Sequence, residues 1–408
     1  MRGEDRSVYH RPHMARRPAV TRSRPLKRAA RPKAEGTPNG TVEAPVYRRR
    51  LERLRGLVHA QGLDALLVTN PIDVGYLTGF LGGDSYLLVH GPTGPGRPTV
   101  LSDFRYEEEL ASVKPLCEVV IRARAMAEAA VELVGAVRGR TGVQSEQITL
   151  ADYGALAASL GPRRVVPTTG LVAGLRAVKD SVEVGLIRGA IRVQEAALKA
   201  VLPTLKPGQS ELEVAARLES EMKVRGASAA SFNTIVAARA NGSLPHYHPG
   251  TVTLAAGQPL LIDWGAVVSG YRGDMTRTFA LRKWPRRVKE IYAIVLGAFE
   301  AAAAAVRPGR TTLEIDRIAR DLIGKAGFGE RFGHGLGHGL GMNGHEDPRV
   351  SHMAPPRPLE PGNVITIEPG IYLPGVGGVR IEDDFLVTAD GAENLCTLPR
   401  DIEWATLE

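Results

Sequence analysis

Two stretches of this chain fold back around glycine-rich turns and carry carboxylates in otherwise apolar, strand-like runs. In LLIDWGAVVSGYRGDMTRTF, residues 260–279, the turn signal is SGYRG at 269–273. Folding there brings Asp263 within a residue or two of Asp274 across the ladder. In ITIEPGIYLPGVGGVRIEDD, residues 365–384, the turn is PGVGG at 374–378, and folding there sets Glu368 opposite Glu382. One such pair is a repulsive accident or is neutralised by a lysine. Two pairs in apolar strands are harder to dismiss, because four carboxylates buried together are very unfavourable unless cations balance them. Two divalent ions carry the matching charge.

Between these stretches lies GHGLGHGLGMNGHE, residues 333–346, with His334, His338 and His345 among alternating glycines. Glycine lets the backbone approach a bound ion or substrate closely. A phosphate loop is excluded because no GK[ST] follows, and the HE at 345–346 lacks the second histidine of HExxH. Oxygen ligands with one imidazole suit Mn(II), Co(II), Fe(II) or Zn(II). No cysteine takes part, which argues against a purely structural zinc. Two such ions about 3.5–4 Å apart share a water and polarise a carbonyl.

The rest of the chain sets bounds. Its 408 residues suggest two to three domains, and 43% hydrophobic content is ample for a core. The net charge of +8 sits almost wholly in residues 1–47, which hold eleven Lys/Arg against four Asp/Glu. That segment, rich in Arg, Pro and Ala, reads as a disordered basic tail over 1–46, and nucleic-acid contact through its charge is the sharper alternative. The two cysteines, Cys117 and Cys396, suggest a reduced compartment, and the reading is cytoplasmic. No apolar run reaches membrane-span length, so no membrane partner is expected.

From Val46 a helix ends at Gly62, and DALLVTN reads as a buried strand. A Pro/Gly-punctuated turn, the strand SYLLVHG, TVLSDFRYEEEL, VVIRARA and the helix AMAEAAVELVGAVRG follow. QITLADYG, a short helix and RRVVPTT complete an α/β domain over 47–178. Asp73, Asp103, Arg105 and Tyr106 are its polar candidates, in structural or inter-subunit roles. A long helix from about Ser181, with Ser181 as N-cap candidate, opens a second domain over 179–408. Its two halves repeat a helix–loop–strand order.

The motifs NGSLPHYHPG, LLIDWGA, GDMTRTFAL, GHGLGHGLGMNGHE, ITIEPGIY and GVRIEDD, in this order, resemble those of the pita-bread metallopeptidases that include Xaa-Pro aminopeptidase and Xaa-Pro dipeptidase. The preceding α/β segment, with LDALLVTNPIDVGYLTGF, resembles the creatinase-type, ribonuclease H-like N-terminal domain. The resemblance implies an α+β fold and two divalent metal ions, Mn(II) first, with Co(II), Zn(II) or Fe(II) as alternatives. It implies metal ligands at Asp263, Asp274, His338, Glu368 and Glu382, with Asp274 and Glu382 bridging. Catalytic roles fall on His246, His345 and Glu368, and substrate contacts on His246, His334, His345 and Arg380. Arg380 would orient the Glu382 carboxylate.

The implied reaction is hydrolysis of the Xaa-Pro bond by a metal-bridging hydroxide, aminopeptidase P-like or prolidase-like. The implied substrate is a peptide with proline in second position, and the implied assembly is a homodimer. A non-peptide amidohydrolase of the same fold, creatinase-like or ectoine hydrolase-like, and a peptide-binding module are the alternatives. Met342-Asn343-Gly344 departs from the family pattern but keeps its spacing, which bears on substrate preference. His248 reads as a rim residue, Trp264 as packing, and Glu346, Asp347, Asp383 and Asp384 as supporting or exposed.

Overall fold

The computed structural model describes residues 44–408. Nearly all of the basic segment thus lies outside the described residues. Helix α1 (Ala44–Ala60) comes first and buries Leu51, Leu54 and Val58 at helical spacing. Gly62, at φ 65°, turns the chain into β1 (Ala65–Val68), buried throughout. The Pro/Gly punctuation that follows predicts a turn, but the structure has α2 (Pro71–Thr78) there. Asn70 caps it by accepting from Ile72 N, so Asn70-Pro71 acts as a helix start rather than a break.

Next come β2 (Tyr86–His90), β3 (Thr99–Ser102), α3 (Glu107–Leu110), β4 (Glu118–Ile121), α4 (Met126–Gly135), β5 (Thr141–Gln144), α5 (Leu150–Leu160), β6 (Val165–Thr168) and α6 (Leu171–Ala177). The strand preceding α5 is TGVQ, upstream of QITLADYG. QITLADYG itself runs into α5, which Thr149 caps. The six strands form one mixed sheet in the order β4-β3-β2-β1-β5-β6. Strand alternation splits its side chains. Ala65, Leu67, Leu88 and Val143 pack with Ala130, Val134 and Leu156 of α4 and α5, while Leu66, Val68 and Val89 join the main core with Leu54 of α1.

Helix α7 (Ser181–Val201) is capped by Asp180, not Ser181. The Asp180 side chain accepts from Val182 N and Glu183 N, and Glu183 returns a bond to the cap backbone, a device worth about 1 kcal/mol. Helices α8 (Glu211–Val224), α9 (Arg286–Ala304) and α10 (Thr312–Lys325) follow. The second domain repeats itself visibly at PGQSELE and PGRTTLE. Ser210 and Thr311 each form a capping box with a glutamate three residues on. Each cap residue also makes an isolated bridge, Ser210 to Thr253 and Thr311 to Pro358.

The first half contributes β7 (Ala229–Ala230), β8 (Ile235–Ala238), β9 (Pro259–Trp264), β10 (Ala266–Val268), β11 (Tyr271–Arg272) and β12 (Met275–Leu281). The second contributes β13 (Gly337–Gly339), β14 (Glu346–Val350), β15 (Val364–Ile367), β16 (Gly370–Leu373), β17 (Gly377–Arg380) and β18 (Asp383–Val387). Strands β19 (Ala392–Asn394) and β20 (Thr406–Leu407) close the chain. The main sheets run β20-β12-β9-β8 and β14-β13-β15-β18-β19.

The two hairpins fold where their glycines predict. In the first, Asp263 pairs with Thr276 and Val267 with Arg272, around a turn at Ser269 (φ 50°) and Gly270 (φ 82°). Asp274 lies two residues from Thr276 and therefore diagonal to Asp263 on one face. In the second, Ile367 pairs with Asp383 and Gly370 with Arg380, so the register sets Glu368 opposite Glu382.

Arg277, fully buried, stitches the hairpins together. It donates to the carbonyls of Thr276 (2.9 Å), Glu382 (2.7 Å), Leu398 (2.9 Å) and Pro399 (2.9 Å), and to Asp383 Oδ1 (2.8 Å). No helix among the described residues is long and apolar enough to cross a membrane.

Candidate metal centre

The nine residues singled out from the sequence, His246, Asp263, Asp274, His334, His338, His345, Glu368, Arg380 and Glu382, all line one cavity of about 500 Å³. Its tightest group is Asp274, His338 and Glu382, whose ligand atoms lie within 4.8 Å of one another. Glu368 Oε1 is 3.3 Å from His338 Nε2, and Asp274 Oδ2 is 3.7 Å from it. Asp263 stands beside this group with one oxygen turned to Arg380.

Burial controls the chemistry. Burial raises the Glu368 carboxyl to about 8, and the nearby Asp263 charge adds to this. Asp274 and Glu382 are pushed well above the ordinary carboxylate range by burial first and by neighbouring carboxylates second. Burial lowers His338 to about 3, with His345 contributing, so its imidazole is neutral. His338 Nδ1 donates to the Gly339 carbonyl at 3.1 Å, which leaves the Nε2 lone pair facing the carboxylates. Glycine is required at 337 and 339 for this approach. A Cβ at Gly337 would lie 2.0 Å from Thr366 O, and one at Gly339 2.1 Å from Asp347 O.

This donor set fits divalent cations. It offers carboxylates and a neutral imidazole, and one of its carboxylate oxygens, Asp263 Oδ1, is buried without a hydrogen-bond partner.

The supports were only partly foreseen. Arg380 does not bond Glu382. It donates to Asp263 Oδ2 (2.6 Å), Thr276 Oγ1 (3.0 Å) and the Tyr372 hydroxyl (2.8 Å), because β17 lies beside the first hairpin. Glu382 Oε2 instead accepts from Thr276 Oγ1 at 2.6 Å. Asp384 Oδ2 accepts from Asp274 N at 3.1 Å.

His334 lines the cavity, but both its ring nitrogens are engaged. Nδ1 donates to the Gly335 carbonyl (2.8 Å), and Nε2 accepts from Tyr372 (2.8 Å). Burial, with Arg380 nearby, lowers it to about 4, so it presents a neutral ring to the cavity. The rings of His338 and His345 lie 4.0 Å apart.

Arg349, four residues past His345, also lines the cavity and was missed by the sequence reading, for want of any motif around it. Glu211 was missed too. Its carboxylate accepts from Ala238 N (2.7 Å), Asn241 Nδ2 (2.9 Å), Tyr247 OH (2.8 Å) and Gly250 N (3.1 Å), anchoring the loop that carries His246. His248 lines the cavity as well, whereas Trp264 is buried in the core and donates to the Gln194 carbonyl.

Residues 185–389 match metallopeptidase family M24, and residues 50–178 match the creatinase/prolidase N-terminal domain. The chain is 35% identical to an uncharacterised peptidase of Bacillus subtilis over 354 residues, 86% of this chain and 99% of that one. Among solved structures it is similar to an Xaa-Pro dipeptidase from Bacillus anthracis, with a TM-score of 0.82 and 34% identity over 87% of this chain and 99% of that one. An X-Pro aminopeptidase from Thermotoga maritima gives a TM-score of 0.79 and 32% identity over 86% and 98%. The chain belongs to metallopeptidase family M24, with a pita-bread fold following a creatinase-type N-terminal domain.

Proposed function

We propose that this metallopeptidase is a dinuclear-metal exopeptidase that hydrolyses the Xaa-Pro bond. The observation that carries the reading is the convergence of four carboxylates and a neutral imidazole on one cavity, with Asp263 Oδ1 buried and unpartnered. Asp263, Asp274, His338, Glu368 and Glu382 are the residues that would hold the ions. The carboxylate-rich set favours Mn(II). Two bound ions would supply Lewis acidity and a water acidified toward neutrality.

The chain's own groups do the rest. Glu368 takes a proton from the attacking water and returns it to the departing proline nitrogen. His345, held neutral by burial and by Arg349, donates a hydrogen bond to the carbonyl oxygen as negative charge develops there. His246 sits on the Glu211-anchored loop and contacts the proline side of the peptide. The neutral His334 ring forms an aromatic wall with Tyr372. Arg349 places a cation on the cavity surface, where the carboxylate of a dipeptide can meet it. That favours dipeptides over longer peptides, in keeping with the name of the Bacillus anthracis relative.

The test is hydrolysis of Xaa-Pro dipeptides against Xaa-Pro-Yaa tripeptides after loading with Mn(II). Cleavage of the dipeptides, weakened mainly in KM by Arg349→Ala, is expected. Hydrolysis of neither series overturns the reading.

A further inference from the structure

We infer that the N-terminal domain reaches the cavity through a chain of buried charges ending beside His345, and that Asp73, Arg176, Lys179 and Glu346 are positioning residues for that imidazole. The inference rests on the oxyanion role given to His345 above.

The chain is continuous. Gln144 Nε2, from the N-terminal sheet, donates to Asp73 Oδ2 at 2.6 Å. Arg176 Nη1 donates to Asp73 Oδ1 at 2.7 Å, and its Nη2 donates to Glu346 Oε2. Lys179 Nζ lies 2.8 Å from Glu346 Oε1. Gln144, Asp73, Arg176 and Lys179 are buried, and the Glu346 side chain is 9% exposed. In such surroundings a charge is kept only with its partners, and removing one partner strands the other.

Glu346 directly follows His345, and Asn343 N donates to its Oε2 at 3.3 Å. From the opposite side Arg272 grips the same loop, donating its N to Gly341 O (2.9 Å) and its Nε to Met342 O (2.9 Å). A Cβ at Gly341 would lie 2.4 Å from Glu346 Oε1, so the carboxylate closes directly over the loop backbone. Among the described residues no group hydrogen-bonds the His345 ring nitrogens. Apart from its packing against the His338 ring, 4.0 Å away, the placement of that ring rests on the backbone of 341–346, and so on the ion pairs that fix it. Misplacement by about 1 Å can cost on the order of 100-fold in rate.

The experiment uses the metal-loaded full chain. Glu346→Gln is made alone and together with His345→Ala. Alone it should lower kcat about 10-fold or more, with KM within about twofold and metal content unchanged. In the His345→Ala background the same change should cost less than about twofold, because its effect runs through that ring. Asp73→Asn, in the N-terminal domain, should show the same dependence, and it serves if Glu346→Gln does not fold.

Amide exchange of residues 341–346 should also quicken in both variants while that of 364–367 stays put. This readout needs no substrate, so it separates failure of this inference from failure of the Xaa-Pro reading. Equal losses in both backgrounds, or unchanged exchange in the loop, overturn the proposal.

Discussion

Arg380 Nη2 holds Asp263 Oδ2 at 2.6 Å and leaves Asp263 Oδ1 buried without a partner. The guanidinium thus aims the carboxylate rather than satisfying it. A bare buried oxygen of this kind costs on the order of 1–3 kcal/mol, which a bound cation offsets. Because Arg380 also donates to Tyr372, and Tyr372 to His334, one guanidinium sets both the carboxylate with the bare oxygen and a cavity wall.

Arg380→Lys keeps the charge but loses the planar fork. Metal affinity should fall about 10- to 100-fold, as for other partners that orient a ligand. Calorimetric titration of the metal-free variant with Mn(II) measures this, and an unchanged isotherm would contradict it.

Metal removal should make stability pH-dependent. Burial raises the folded-state values of Glu368 (to about 8), Asp274 and Glu382 above their unfolded values. Between the ordinary carboxylate range and about 8 these three carboxyls hold more protons in the folded metal-free chain than in the unfolded one, while the lowered His334, His338 and His345 hold fewer below 6.5. Above 6.5 the carboxyls alone remain linked, and the stability of the metal-free chain declines as pH rises from there through about 8. Bound ions replace those protons, so the gap in melting temperature between loaded and chelated protein should widen from pH 6.5 to about pH 8. A constant gap would show that these carboxyls are not the linked groups.

Arg277 offers a stability test apart from the ions. Arg277→Met leaves Asp383 Oδ1 and four carbonyls without this donor, while Asp383 Oδ2 keeps Arg400 and Asn394, and should destabilise the loaded protein by about 3–5 kcal/mol. Denaturant melts read this directly, and a change under about 1 kcal/mol would mean that the stitched strands hold without it.

What the sequence made legible follows from the range of each interaction. Asp263 with Asp274, and Glu368 with Glu382, could be paired by eye because strand alternation and a glycine turn are local. The partner of Arg380 could not. Alternation puts Arg380 on the face of Glu382, but its contact, Asp263, comes from another hairpin 117 residues away. Glu211 and Arg176 were hidden for the same reason. The N-cap error was avoidable, since Asp180 and Glu183 show the capping-box spacing in plain sequence. The strand TGVQ was not, since glycine and glutamine are poor strand formers and its neighbours in the sheet impose the conformation.

The most direct measurement is metal stoichiometry, by elemental analysis of the full chain dialysed against Mn(II), beside Asp274→Asn. Two ions per chain in the parent and a loss of both in the variant, which lacks a carboxylate that the family resemblance assigns to both ions, are expected. A parent that retains none or only one, or a variant that still holds two, would contradict a dinuclear centre built on these carboxylates.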